Sequence, residues 1–217
     1  MLYYCNAMIA NPNSGVNEIC ANLLKYAIAA EAYMKVENPW MDDSGFLVNV
    51  MTDEQKANME KYAYADDAVV VGRTSYAVNG DRVLFRSQAL EMVSRITLRY
   101  KMSIADPTLD TSKVTFKVTY TDINGNPAVQ NYSFSDLSYE EKTGYYVLDF
   151  SGFYATQMRQ LAKCTIYIDG VEHGHFANSV ESYCAAALGS SQTRDDVAYL
   201  VKRISLYGDA CYAKYGN

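Results

Sequence analysis

At 217 residues, with 49% hydrophobic and 20% charged side chains, the chain is long enough to bury the core of one large domain or two small ones, and its composition is that of a folded protein. A net charge of −6 argues against nucleic acid as a partner, because phosphate affinity rests on clustered Lys and Arg. No apolar run approaches the roughly 20 residues of a membrane-spanning helix, and the first residues carry neither the basic nor the apolar stretch of a signal peptide, so no membrane insertion is expected.

Residues 2–10 read as a short helix, ended by the dense turn signal Asn11-Pro12-Asn13-Ser14-Gly15. A longer helix starts near Val16-Asn17-Glu18 and runs to about Lys35. Val16, Ile19, Leu23, Tyr26, Ala30 and Tyr33 recur at three- and four-residue steps, which predicts a narrow seam packed on another helix. Ala27, Ala29, Ala30 and Ala32 admit close approach there, and core packing rather than a cofactor is the expected use of such a stripe. Asn38-Pro39-Trp40-Met41-Asp42-Asp43-Ser44-Gly45 is a loop holding the single Trp. Thr52-Asp53-Glu54-Gln55 then starts a helix expected to end near Tyr62 or Tyr64, with Thr52 or Asp53 as its cap and acids in its first turn.

From Val69 the period changes to two. Ile96, Leu98, Tyr100, Met102 and Ile104 alternate with Arg95, Thr97, Arg99, Lys101 and Ser103, and Val114, Phe116, Val118 and Tyr120 alternate with Thr115, Lys117, Thr119 and Thr121. Each is a strand with one wet face. Asn124-Gly125 turns the chain into a strand at 130–134, strands follow at 145–150 and 163–169 with a short helical crossover at 155–161 between them, and Asp169-Gly170 leads into a last strand at 171–180. About seven or eight short strands of this kind predict an Ig-like β-sandwich.

The end of the chain repeats its beginning. Val197, Leu200, Ile204, Tyr207 and Cys211 set the frame of the first long helix, and Tyr183-Cys184-Ala185-Ala186 matches Tyr4-Cys5-Asn6-Ala7. Gly189-Ser190-Ser191-Gln192-Thr193 takes the place of the first turn. The predicted fold class is therefore α+β: an antiparallel β-sandwich (Ig-like) flanked by two homologous α-helical hairpins. Its segments are a hairpin at 1–36, a connector with a short helix at 37–68, the sandwich at 69–180 and a second hairpin at 181–217. Tyr26 and Tyr207 are expected to be mostly buried as packing devices. Because Met1-Leu2-Tyr3-Tyr4 opens within a repeat unit, the chain is expected to be a piece of a longer protein, with its first hairpin belonging to a preceding module.

Five cysteines cannot all pair internally. Cys5 and Cys184 hold equivalent places, but Cys20 aligns with Val201 and Cys211 with Ala30, which excludes a disulfide common to both hairpins. Cys5–Cys20 remains geometrically allowed; five free thiols are the expectation, and the lack of CxxC spacing weighs against zinc.

Tyr4-Cys5-Asn6-Ala7-Met8-Ile9-Ala10-Asn11-Pro12, Leu24-Lys25-Tyr26-Ala27-Ile28-Ala29-Ala30, Met51-Thr52-Asp53-Glu54-Gln55-Lys56-Ala57, Ile96-Thr97-Leu98-Arg99-Tyr100, Ser179-Val180-Glu181-Ser182-Tyr183-Cys184-Ala185-Ala186 and Tyr207-Gly208-Asp209-Ala210 together resemble a tandem module of large repetitive surface or secreted proteins of gut Firmicutes. The resemblance covers most of the chain and implies export to the cell surface or the exterior of a Gram-positive bacterium, neighbouring modules of the same parent chain, and host secreted proteins such as immunoglobulins as a kind of partner. It brings no catalytic residues with it. The chain departs from the pattern where Asn38-Pro39-Trp40-Met41-Asp42 replaces a polar linker, and at Ala27 and Ile28.

Glu172-His173-Gly174-His175 is the one cluster with metal-ligand character, yet His-x-His on one strand needs a third ligand from elsewhere, so a polar hairpin is expected and no metal or cofactor. Asp122-Ile123-Asn124-Gly125-Asn126 starts like a calcium loop but lacks Gly at the sixth position and Glu at the twelfth, where Ser133 stands. No GxSxG, HExxH or GxxxxGK[ST] is present, and the expectation is no enzyme. For binding, Arg95, Arg99, Lys101 and Lys117 make a basic, Thr-rich face if their strands are neighbours, and Trp40 is a candidate anchor. Tyr3, Tyr62, Tyr64, Tyr76, Tyr145, Tyr212 and Tyr215 supply further contact area off the seam. The expected function is a non-catalytic adhesion, protein-binding or spacer module towards a host or bacterial surface protein. The alternative is a carbohydrate-binding module that uses Trp40 and exposed Tyr to hold a glycan.

Overall fold

The computed structural model describes residues 1–38, 47–70, 74–92 and 95–216. Among them the chain is α+β, with six helices and two antiparallel sheets of five and four strands. It divides into two compact units, Met1–Val71 with Cys184–Asn217, and Gly72–Tyr183. The second crossing point lies within helix α5 (Val180–Gly189).

The helical unit is built around α2 (Asn17–Glu37). The short α1 (Leu2–Ala10) precedes it, and Asn17 fastens the turn between them. Its buried amide donates to the carbonyls of Met8 (3.0 Å), Ile9 (3.2 Å) and Asn11 (2.9 Å), which satisfies acceptors left over at the end of α1. After the single turn α3 (Leu47–Val50), α4 (Asp53–Tyr62) starts with a capping box: Gln55 N–H donates to Thr52 Oγ1 at 3.2 Å and Thr52 N–H to Gln55 Oε1 at 2.9 Å. Cys5, Ile9, Cys20, Ala21, Leu24, Met51 and Met59 form the core between α1, α2 and the α3–α4 segment. Helix α6 (Asp195–Tyr215) lies along α2, and the rings of Tyr26 and Tyr207 stack with centroids 6.3 Å apart and planes 11° apart. Neither ring stands free in solvent; both are partly buried.

One prediction about α2 is corrected. The seam of Ile19, Leu23, Tyr26, Ala30 and Tyr33 is only partly buried, while Cys20, Ala21, Leu24 and Ala29 are fully so. The reason is geometric: α2 packs on α1 and α4 as well as on α6, so its covered surface is wider than a two-helix seam and centred beside it. The segments 1–71 and 184–217 cluster as one compact unit.

In the other unit the five-stranded sheet has the order β1-β9-β8-β4-β5: β1 (Tyr76–Val78), β9 (Val171–Asn178), β8 (Ala162–Ile168), β4 (Val114–Thr121) and β5 (Pro127–Ser133). The four-stranded sheet is β2 (Val83–Met92), β3 (Ile96–Ile104), β7 (Tyr145–Phe153) and β6 (Ser138–Glu140). Alternation follows the predicted parity in Val114, Phe116 and Val118 of β4 and Leu98, Tyr100 and Met102 of β3, all buried, and Cys164, Ile166 and Ile168 of β8 are buried in the same alternate manner. The apolar faces of the sheets meet. Tyr100 packs edge-on against Phe176 (6.0 Å) and its hydroxyl donates to Ala162 O (3.2 Å), and Tyr120 meets Phe150 at 4.9 Å. The described strands number nine, more than the alternation revealed, because β1 and β6 are three residues each. The predicted helical crossover is only a 3-10 turn, Ala155–Gln157.

Candidate ligand-binding cleft

A cleft of about 640 Å³ opens at one end of the two-sheet unit. The start of β3 contributes Arg95 and Ile96, the β4–β5 hairpin Tyr120, Asp122, Ile123 and Gln130, and the end of β7 with its following turn Ser151, Gly152, Phe153, Tyr154 and Ala155. Three local features hold these pieces together. Between Phe150 and Phe153, β7 runs one residue longer than the facing stretch of β3, where Ile96 pairs with Phe153 and Leu98 with Phe150. Such a bulge re-aims side chains at a sheet end. Gly152 lies in it, and a Cβ there would sit 2.2 Å from Cζ of the buried Phe150 ring. Only glycine lets Phe150 lie beneath, where it packs edge-on against both Phe153 (5.4 Å) and Tyr120 (4.9 Å). Finally, the buried Gln157 amide donates to Thr121 O at 2.8 Å while its carbonyl accepts from Tyr154 N–H at 3.1 Å, which ties the turn after β7 to the end of β4.

The polar groups of the cleft are already oriented. Gln130 Nε2 donates to Tyr120 Oη at 3.3 Å, and its Oε1 accepts from Tyr132 Oη at 2.6 Å, so the amide face is fixed. Burial pushes the Tyr132 phenol up to about 12, so it stays a neutral donor. Ser151 Oγ lies 2.7 Å from Thr97 Oγ1. One oxygen of Asp122 accepts the backbone N–H groups of Asn126 (2.8 Å) and Asn124 (2.9 Å), and these hold the carboxyl below its ordinary range. The calcium-like start of this segment is thus a self-capped hairpin turn, with Gly125 at φ 84°. Tyr154 is 58% exposed and stands at the mouth.

No family model, curated protein or solved structure matches the chain. The chemistry of its own side chains therefore carries the reading of the site.

Of the predicted binding residues, Arg95 lines the cleft. The basic face as a whole does not exist: Arg95, Arg99 and Lys101 belong with β3 and Lys117 with β4, and these strands lie in different sheets. Period-two alternation assigns a side chain to a face but not a strand to a sheet. Arg99 is matched by Asp149, directly opposite on β7, with Nε–Oδ1 at 2.8 Å; that hydrogen bond raises its pKa further. Lys101 reaches Glu140 at 2.8 Å. Lys117 is partly buried in a separate hollow of about 420 Å³ with Asn131, Asp136 and Tyr167. Trp40 lies outside the described residues.

His175 Nδ1 shares a hydrogen bond with Glu172 Oε1 at 2.9 Å, and His173 Nδ1 stands 4.0 Å from Asp81 Oδ1. Among the described residues no three His, Cys, Asp or Glu side chains converge as metal ligands. All five cysteines are free and buried. The Cys5 and Cys20 thiols are hydrogen-bonded to each other across α1 and α2, and burial, foremost, pushes Cys20 up to about 12. Tyr120 and Tyr154 were not among the predicted contact tyrosines. Tyr120 reads as an inward strand residue, and only the Gly152-Phe153-Tyr154 run after an alternating strand hints at an aromatic sheet end.

Proposed function

We propose that the chain is a non-catalytic adhesion module of an exported bacterial surface protein, in which a β-sandwich of Ig-like kind, joined to two homologous helical hairpins, captures a saccharide in its end cleft. The cleft carries this reading: it is concave, has aromatic side chains in its lining, and presents the Arg95 guanidinium, the Gln130 amide, the Asp122 carboxylate and the hydroxyls of Ser151, Tyr120 and Tyr154. A few placed polar groups in an apolar hollow are the ordinary make-up of a small-ligand site. The hairpin reading is supported by matched lengths, with helices of 9 and 21 residues in the first copy and 10 and 21 in the second. A protein partner is the second reading, favoured by the edge strand β1, whose Tyr76, Ala77 and Val78 are all exposed.

A glycan array run beside a pull-down from gut mucosal fluid tests both. Array binding that Tyr154→Ala weakens supports saccharide capture; a silent array with a protein captured through β1 transfers the function to the second reading.

A further inference from the structure

Five cations of the two-sheet unit are held by carboxylates: Arg82 by Asp106 at 2.8 Å, Arg99 by Asp149, Lys101 by Glu140, Lys113 by Asp169 at 3.1 Å and Arg159 by Glu181 at 3.0 Å. Arg95 is different. It is exposed on the wall of the cleft, and among the described residues no carboxylate lies within ion-pair distance of it. A guanidinium without a partner in an aromatic hollow is suited to a ligand carboxylate, which it meets with two parallel N–H donors. Around it stand groups of another kind. Tyr154, exposed at the mouth, and the half-buried Tyr120 supply aromatic surface for the C–H face of a pyranose, with buried Phe153 beneath. Gln130, with two of its polar contacts already used, keeps one N–H and one lone pair for hydroxyls, and Ser151 adds a hydroxyl. Asp122 repels a dianion such as inorganic phosphate about twice as strongly as a single carboxylate, and its second oxygen is free of the turn's hydrogen bonds and open to a sugar hydroxyl. The combination fits one carboxylate and several hydroxyls on one rigid ring.

Resting on the saccharide reading above, we propose that the cleft selects sugar acids, with Arg95 as the residue that binds the carboxylate. The test is an NMR titration of the ¹⁵N-labelled full chain with glucuronic acid and with glucose, which differ only in carboxylate against hydroxymethyl. Glucuronic acid is expected to shift the amides of Ser151, Gly152 and Tyr154 and to bind at least about tenfold more tightly than glucose, a charge-assisted pair being worth that much. Arg95→Gln, on an exposed side chain, should abolish the preference and leave the spectrum of the free protein otherwise in place. Equal binding of the two sugars in the cleft, or full retention of the preference in Arg95→Gln, overturns the carboxylate assignment and leaves saccharide capture standing. Silence with both sugars, and with N-acetylneuraminic and galacturonic acids, overturns the assignment as well; an array on which neutral glycans still bind then shows that only the acid class has failed.

Discussion

Gly152 shows how far a single missing methyl group can reach. Its Cβ position is filled by the Phe150 ring, which in turn supports Tyr120 and Phe153. Gly152→Ala must displace a fully buried ring, so it should destabilise by about 1–3 kcal/mol in chemical unfolding and weaken any ligand of the cleft. Gly189→Ala, with open space around its Cβ, is the control and should be neutral or slightly stabilising. Arg203 poses a different problem. Its side chain is fully buried, donates to Tyr64 O at 3.0 Å and pairs with Asp66, yet its Nε has no acceptor among the described residues. Burial is the main reason its pKa falls below the ordinary value. Replacement by an apolar side chain of similar volume commonly costs little at such a site, whereas truncation leaves a cavity. Arg203→Met should therefore change stability by less than about 1 kcal/mol and Arg203→Ala lower it by about 3 kcal/mol. Sequence pattern places residue 203 on a helix but gives no sign that an arginine there is interior, because the contacts that bury it come from the distant 64–66 segment.

At the scale of elements, the Tyr26–Tyr207 stack joins α2 and α6 across the length of the chain. A double-mutant cycle with Tyr26→Leu and Tyr207→Leu should give a coupling of about 0.5–1.5 kcal/mol. Additive effects would mean that the rings are neighbours without being partners. Local signals read well here. The Thr52 cap, the turn at 11–15, the Asn124-Gly125 hairpin and the strand parities of β3 and β4 are chemistry written within a few residues. What escaped is relational. The widened burial of α2 depends on having three helical neighbours, and the split of Arg95 from Lys117 depends on sheet membership. The cleft is assembled from three separate loop ends, so of its lining only Arg95 is named from sequence as a binding residue, and for a face that the sheets do not form, while Asp122 and Ile123 are noted only as a calcium-like turn.

For the whole molecule, pH has two edges. Asp106, Asp110, Asp122 and Asp136 are held below their usual 3.8 chiefly by hydrogen bonds from Thr108, Ser112, Asn126 and Ser133, and Glu140 below 4.5 chiefly by Lys101. A depressed folded value stabilises above the unfolded one and is lost as pH falls through it, so stability should hold from neutral to about pH 4 and fall below. At the other edge, burial pushes Cys20 from 9.0 up to about 12 and Tyr132 from 10.0 up to about 12. Their contribution is complete below pH 9 and lost as pH rises towards 12, which urea titrations across that range would read as a falling midpoint. The same burial predicts that iodoacetamide labels none of the five thiols in the native protein within the time it labels all five in denaturant.

The helical unit is drawn from the two ends of the chain, and this sets an order of events during synthesis. The stretch 72–183 is complete while α6 is still being made, so the two-sheet unit has everything it needs first. Helix α2 emerges early but meets α6 only after residues 195–215 are made, and until then the Tyr26 ring has no Tyr207 to lie against. Non-local pairing of this kind folds late. A released chain that ends before residue 195 would keep every strand of the two-sheet unit and leave α2 a waiting helix, its Tyr26 ring without a partner.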